Sequence, residues 1–94
     1  MELRFYDDPE TGLPHIFGHG VTEEEVRQVL SRRPDTFRGR GKSWFAFGQT
    51  AVGRILKVVY VPDEGRRSAF VITAYELRGK ALRAFRRRRR RRRR

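Results

Sequence analysis

Ninety-four residues, a formal net charge of +12 and no cysteine set the first bounds: one domain with one modest core, since a chain of this size buries roughly 60 to 65% of its unfolded surface. Disulfide staples and thiolate metal sites are excluded. No apolar run reaches the roughly 18 to 20 residues of a membrane span, and no signal-peptide pattern opens the chain, so a soluble, cytoplasmic protein is expected.

In chain order, Leu3-Arg4-Phe5-Tyr6 reads as a short strand, ended by Asp7-Asp8-Pro9, where the residue before proline is pushed out of helical space. Leu13 to His19 follows, with Pro14 permitting one or two helical turns before glycine stops them. The sharpest boundary is Val21-Thr22-Glu23-Glu24-Glu25-Val26. Thr22 sits as N-cap with Glu25 three residues later, a capping box, while Val21 and Val26 are spaced for a hydrophobic staple. The helix that starts there has an apolar stripe of Val26, Val29 and Leu30, a wet face of Arg27, Gln28 and Ser31, and an end at Pro34.

Beyond Pro34 the apolar period changes to two. Asp35 to Arg38 and Ser43 to Gln49 read as strands joined by the basic turn Gly39-Arg40-Gly41-Lys42. Ile55 to Val61 and Ala69 to Tyr75 are the most apolar runs and are dense in β-branched and aromatic residues. Pro62-Asp63-Glu64-Gly65 between them predicts an antiparallel hairpin. Apolar residues at both parities of these two runs predict a sheet centre covered on both faces. After the bend Glu76-Leu77-Arg78-Gly79, helical spacing groups Ala81, Leu82 and Phe85 on a short terminal helix. The expected architecture is α+β in two layers: one or two N-terminal helices on a mainly antiparallel sheet, with a short C-terminal helix.

Residues 86 to 94 are nine consecutive arginines, and subtracting them from +12 leaves +3 for the other 85 residues. The division is therefore a single domain over 1–85 and a basic tail over 86–94 that draws the chain to polyanions with steep salt dependence. The distal half of the tail is expected to be solvated and disordered.

Three blocks in order resemble one family: His19-Gly20-Val21-Thr22-Glu23-Glu24-Glu25-Val26; Gly48-Gln49-Thr50 with Gly53-Arg54; and Val71-Ile72-Thr73-Ala74-Tyr75 followed by basic residues. From about Tyr6 to Phe85 the chain resembles the BrnT-like proteins, small toxins of type II toxin–antitoxin pairs whose fold is similar to RelE-type ribonucleases. The resemblance implies a RelE-like fold, a protein antitoxin as partner, and cleavage of RNA without metal or other cofactor, in which the ribose 2′-hydroxyl attacks the adjacent phosphate.

Such a reaction needs a base, cations for charge developing on phosphorus, and an acid for the leaving oxygen. The candidates are Arg54 and Lys57 on one central strand, Arg67 before the next, Tyr75, Arg78 and Lys80 at its end, and His19, the imidazole that opens the first of the three resembling blocks. Arg40, Lys42, Arg83, Arg86, Arg87 and Arg88 are candidate nucleic-acid contacts. His15 and His19, four apart, lack a third ligand nearby, and no metal is expected. Two readings compete: a noncatalytic nucleic-acid-binding module that stacks bases on Trp44, Phe45 or Phe47, and an interaction domain that pairs through a sheet edge.

Overall fold

The computed structural model describes residues 1–65 and 67–92. It is an α+β domain built on one five-stranded mixed sheet with two α-helices. The strands are β1 (Glu2–Phe5), β2 (Asp35–Arg38), β3 (Trp44–Gln49), β4 (Ile55–Pro62) and β5 (Ser68–Glu76), in the spatial order β1-β5-β4-β3-β2. As expected, β2 to β5 form a consecutive antiparallel meander. The N-terminal strand instead runs parallel to β5, with Leu3 opposite Ala69 and Phe5 opposite Val71, so the sheet is mixed.

The capping box forms. The Glu25 backbone N–H donates to Thr22 Oγ1 and the Thr22 backbone N–H donates to Glu25 Oε1, both at 3.1 Å. Helix α1 (Glu23–Ser31) starts on it and buries Val26 and Val29 completely. These two join Ala46, Leu56, Val58, Val71 and Ala74 from the inner face of the sheet, with Ile16 and Val21 closing the cluster from the connection. Gln28, on the face expected to be wet, is half-buried, and its side-chain oxygen accepts from the Ala51 backbone N–H at 2.8 Å. Helix and sheet approach closely at Gly48, where a Cβ would lie 3.0 Å from Val29 Cγ1.

Before α1, His15–His19 makes a single 3₁₀ turn. Gly20 ends it at φ 70°, a left-handed conformation that glycine adopts without steric cost. The reversal carries the chain into Thr22 and leaves His19 exposed.

The register of β4 on β5 shifts between Val59 and Tyr60: Val59 faces Thr73, whereas Tyr60 faces Val71. Ile72 is the extra residue of a β-bulge. Strict alternation would put Val71 and Ala74, three positions apart, on opposite faces, yet both lie in the inner cluster. The bulge resets the parity, and in doing so it sends Tyr75 to the outer face opposite Lys57.

The outer face is covered at one end only. Helix α2 (Gly79–Arg92) docks Phe85 and Leu82 against Ile55, Leu77 and Phe47. Ala81, expected to pack with them, is exposed. The helix is longer than the sequence suggested and carries the arginine run as far as Arg92; residues 93–94, at the end of the stretch expected to be disordered, lie outside the described residues. Further along the outer face Phe45, Val59, Val61 and Phe70 stay half-exposed, so both-sided cover of the sheet centre holds only near α2. No helix of the described residues is long and apolar enough to cross a membrane.

Candidate functional site

The cationic candidates separate according to the two ends of the sheet. At the α2 end, where β4 begins and β5 finishes, stand Arg54, Lys57, Tyr75, Arg78 and Lys80. Arg67 precedes β5, eight residues before Tyr75, or roughly 26 Å along an extended strand. Arg40 and Lys42, exposed on the β2–β3 turn, belong to that distant end as well. One phosphate cannot be shared by both groups.

Arg54 is an internal clamp. Its Nη1 donates to both Glu25 carboxylate oxygens at 2.8 Å and to the Gly20 carbonyl at 3.0 Å, and its Nη2 reaches Glu76 at 3.4 Å. One guanidinium thus ties the 3₁₀ turn, α1 and β5 to the start of β4. Burial alone would raise the Glu25 carboxyl, but the Thr22 backbone N–H and the Arg54 guanidinium outweigh it and hold that carboxyl below its ordinary value. Burial likewise opposes the charge on Arg54, and Glu25 and Glu76 together more than restore it. Arg78 is largely exposed and lies 3.9 Å from the same Glu76. Lys80, on the first turn of α2, is exposed.

Lys57 has no carboxylate within ion-pair distance among the described residues. Its ammonium sits 4.1 Å from the Phe45 ring centroid, 5.9 Å from Phe47 and 5.8 Å from Tyr75. Aromatic faces attract a cation without neutralising it, so the charge is positioned and stays available to a ligand. On one side Tyr75 continues the row to His19 (ring centroids 6.0 Å apart), and His19 to His15 (5.1 Å, edge-on). Beyond the end of the row Tyr6 stands 6.1 Å from His15, whose Nδ1 is 3.7 Å from the Asp8 carboxylate. On the other side the Arg88 guanidinium lies 5.5 Å from the Phe47 centroid and 5.6 Å from Phe37, and the two rings meet edge-on at 5.6 Å.

The result is a continuous strip of rings and cations across the sheet: His15, His19, Tyr75, Lys57, Phe47, Arg88, Phe37. Three residues expected to act together, His19, Lys57 and Tyr75, meet in it. Trp44, by contrast, lies on the inner face with Ala46 and is half-buried, so the stacking surface contains Phe45 and Phe47 but not Trp44. Arg83, Arg86 and Arg87 are exposed on α2, whereas Arg88 is half-buried against the rings.

Two members of the strip escaped the sequence reading. His15 stood out only as half of a weak metal pair, although its spacing from His19 does place both rings on one side of a helical turn. Phe37 carried no signal, because nothing local tells which strand edge α2 will cover. Among the described residues no group of three or more His, Cys, Asp or Glu is placed to hold a metal ion.

Fold and site together define a small α+β domain whose outer sheet face bears an aromatic and cationic strip beside an arginine-rich helix. No known protein family, curated protein or solved structure matches this chain.

Proposed function

We propose that the protein is an RNA-binding, toxin-like endoribonuclease of RelE-like fold that acts in the cytoplasm without metal and is restrained by a separately encoded antitoxin. The observation that carries this reading is the convergence of His19, Tyr75 and Lys57 on the outer face of the sheet, flanked by the exposed cations Arg78 and Lys80. Phosphodiester cleavage of RNA by its own 2′-hydroxyl calls for this set. His19 takes the proton from the 2′-hydroxyl as the 2′-oxygen bonds to phosphorus. Lys57 balances the negative charge that grows on the non-bridging oxygens, and the Tyr75 hydroxyl gives a proton to the departing 5′-oxygen as the P–O5′ bond breaks. Arg78 and Lys80 contact the neighbouring phosphate. An acidic segment of the antitoxin complements the basic face and blocks it. The three short blocks that resemble BrnT-like proteins point the same way, although no family model matches the chain.

The test is cleavage of a labelled single-stranded RNA in excess chelator by the full chain and by His19→Ala, Lys57→Met, Arg67→Ala and the pair Arg78→Ala with Lys80→Ala. Loss of a general acid or base costs about 10²- to 10⁴-fold in rate. The expected pattern is a loss of that size for His19→Ala, about 10²- to 10³-fold for Lys57→Met, which removes a charge-stabilising group, a smaller one for the pair, and none for Arg67→Ala. Rings interleaved with cations are also what a noncatalytic single-strand-binding face presents. Salt-sensitive binding with no cleavage by any variant would establish that second reading and end the first.

A further inference from the structure

On the side of α2 turned away from the strip, Arg86, Arg89 and Arg90 line a cleft of about 240 Å³ together with Gln49, Ile55 and Phe85. Spacing of three and four residues puts the three arginines on one helix face. Arg83, Arg87 and Arg91 are exposed and form a second row on the same helix, at successive intervals of four. Arg89 is held in place, its guanidinium carbon 5.1 Å from the Phe85 ring centroid. Gln49 is held too, its Nε2 donating to the Gly53 carbonyl at 3.2 Å. None of the three cleft arginines takes part in an ion pair among the described residues.

Gathering three guanidiniums around one concavity without a carboxylate costs like-charge repulsion. An anion removes that cost, and phosphate matches the donor fork of arginine bidentately, with oxygens enough to accept from several guanidiniums at once. Ile55 and Phe85, both buried, close the cleft beneath the arginines and leave a small apolar edge against which the sugar attached to a phosphate can rest. The volume lies just under the usual range for small-molecule sites, about 300 to 1,000 Å³, and admits one nucleotide unit.

We infer that this cleft is a nucleotide-phosphate anchor, distinct from the His19–Tyr75–Lys57 strip, which holds one nucleotide of the RNA on the far side of α2 from the scissile phosphate. The anchor rests on the RNA reading only for the identity of the chain that carries the phosphate. It divides the arginine run into two functional halves: the cleft arginines grip a single phosphate, and the outward row adds only a diffuse positive field.

The experiment compares two variants of the full chain with the same loss of charge, Arg86→Gln with Arg89→Gln and Arg90→Gln against Arg83→Gln with Arg87→Gln and Arg91→Gln. Binding of a short, labelled, non-cleavable 2′-O-methyl RNA is followed by fluorescence anisotropy over a salt series. The cleft triple is expected to weaken binding at least tenfold more than the outward triple. It should also reduce the salt slope by about 0.7, the contribution of the one phosphate that the cleft neutralises on a single strand. Equal losses from the two triples would overturn the anchor and leave only a diffuse field. Should the cleft triple fail to fold, Arg86→Gln with Arg90→Gln, which spares the packed Arg89, replaces it against Arg83→Gln with Arg87→Gln.

A second measurement separates the anchor from the RNA reading. Titration of the unaltered chain with uridine 5′-monophosphate is expected to shift the NMR signals of the Gln49 carboxamide and the Ile55 methyl groups, with inorganic phosphate shifting Gln49 alone. If the nucleotide shifts these signals but the RNA does not bind, the anchor stands and the RNA reading falls. If RNA binds and the nucleotide leaves both signals unmoved, the anchor is refuted.

Discussion

Replacing Arg54 with methionine keeps an unbranched apolar stem while removing the charged guanidinium, and so tests what the clamp contributes. Glu25, bonded at 2.8 Å by both carboxylate oxygens, loses its charge partner, and Glu76 loses the nearer of two, at 3.4 Å, keeping Arg78 at 3.9 Å. The Gly20 carbonyl loses its donor as well. Removing one member of a fully buried ion pair costs 3 to 5 kcal/mol, but the side chains of Glu25 and Arg54 retain 15% and 28% of their exposure. Water reaches the unpaired Glu25 in part, and a loss of about 2 kcal/mol is expected at pH 7. For a domain of this size that lowers Tm by roughly 8 to 16 °C, at 4 to 8 °C per kcal/mol. The assay is thermal unfolding followed by circular dichroism, repeated from pH 7 down to pH 3. Because the folded Glu25 carboxyl is held below its ordinary value of 4.5, the pair stabilises fully above that value. Its contribution is lost as pH falls through the lower folded pKa. The gap between the unaltered chain and the variant should therefore close in acid. A gap below about 0.5 kcal/mol at neutral pH, the range of ordinary surface substitutions, or a gap that does not change with pH, would refute the clamp.

Thr22→Ala removes the side-chain half of the capping box and should cost about 1 kcal/mol, read as a fall in the urea midpoint with an unchanged m-value. Gly48→Ala puts a methyl group 3.0 Å from Val29 Cγ1 and 3.4 Å from Pro34 Cβ. Val29 is completely buried and β-branched, so the crowding should outweigh the entropic gain of alanine and cost about 1 kcal/mol, with the loss relieved in a double variant with Val29→Ala. Phe85→Ala empties the contact with Ile55 and Leu77 and should cost about 3 kcal/mol. It should also release α2, seen as loss of helical signal in far-ultraviolet circular dichroism before the sheet melts.

Elements made by short-range chemistry were legible residue by residue. The start of α1 was written in Thr22 and Glu25, because a capping box is closed within four residues. The apolar runs of β4 and β5 and the turn residues between them announced the hairpin, and the bounds of β2 follow from the proline before it and the glycine after it. His19, Lys57 and Tyr75 could be named from their chemistry. Their meeting could not, because it depends on one extra residue, Ile72, which shifts the parity of β5 and turns Tyr75 to the face of Lys57. A bulge of this kind leaves no local signal, since its register is settled by what packs on either side of the sheet.

Charge misled for a related reason. From the sequence Arg54 and Arg67 are two more cations on or beside central strands, yet one closes a clamp with Glu25, 29 positions away, and the other stands at the far end of β5. Ion pairs are made in space, and only the packed chain decides which arginines are consumed internally and which remain for a ligand. The arginine run shows the same division. Its composition alone made a strong positive charge legible, because net charge is counted from the sequence whatever the fold. Only the docking of Phe85 and Leu82 on the sheet sorted identical side chains into different environments, setting Arg88 against rings and Arg86, Arg89 and Arg90 around a cleft.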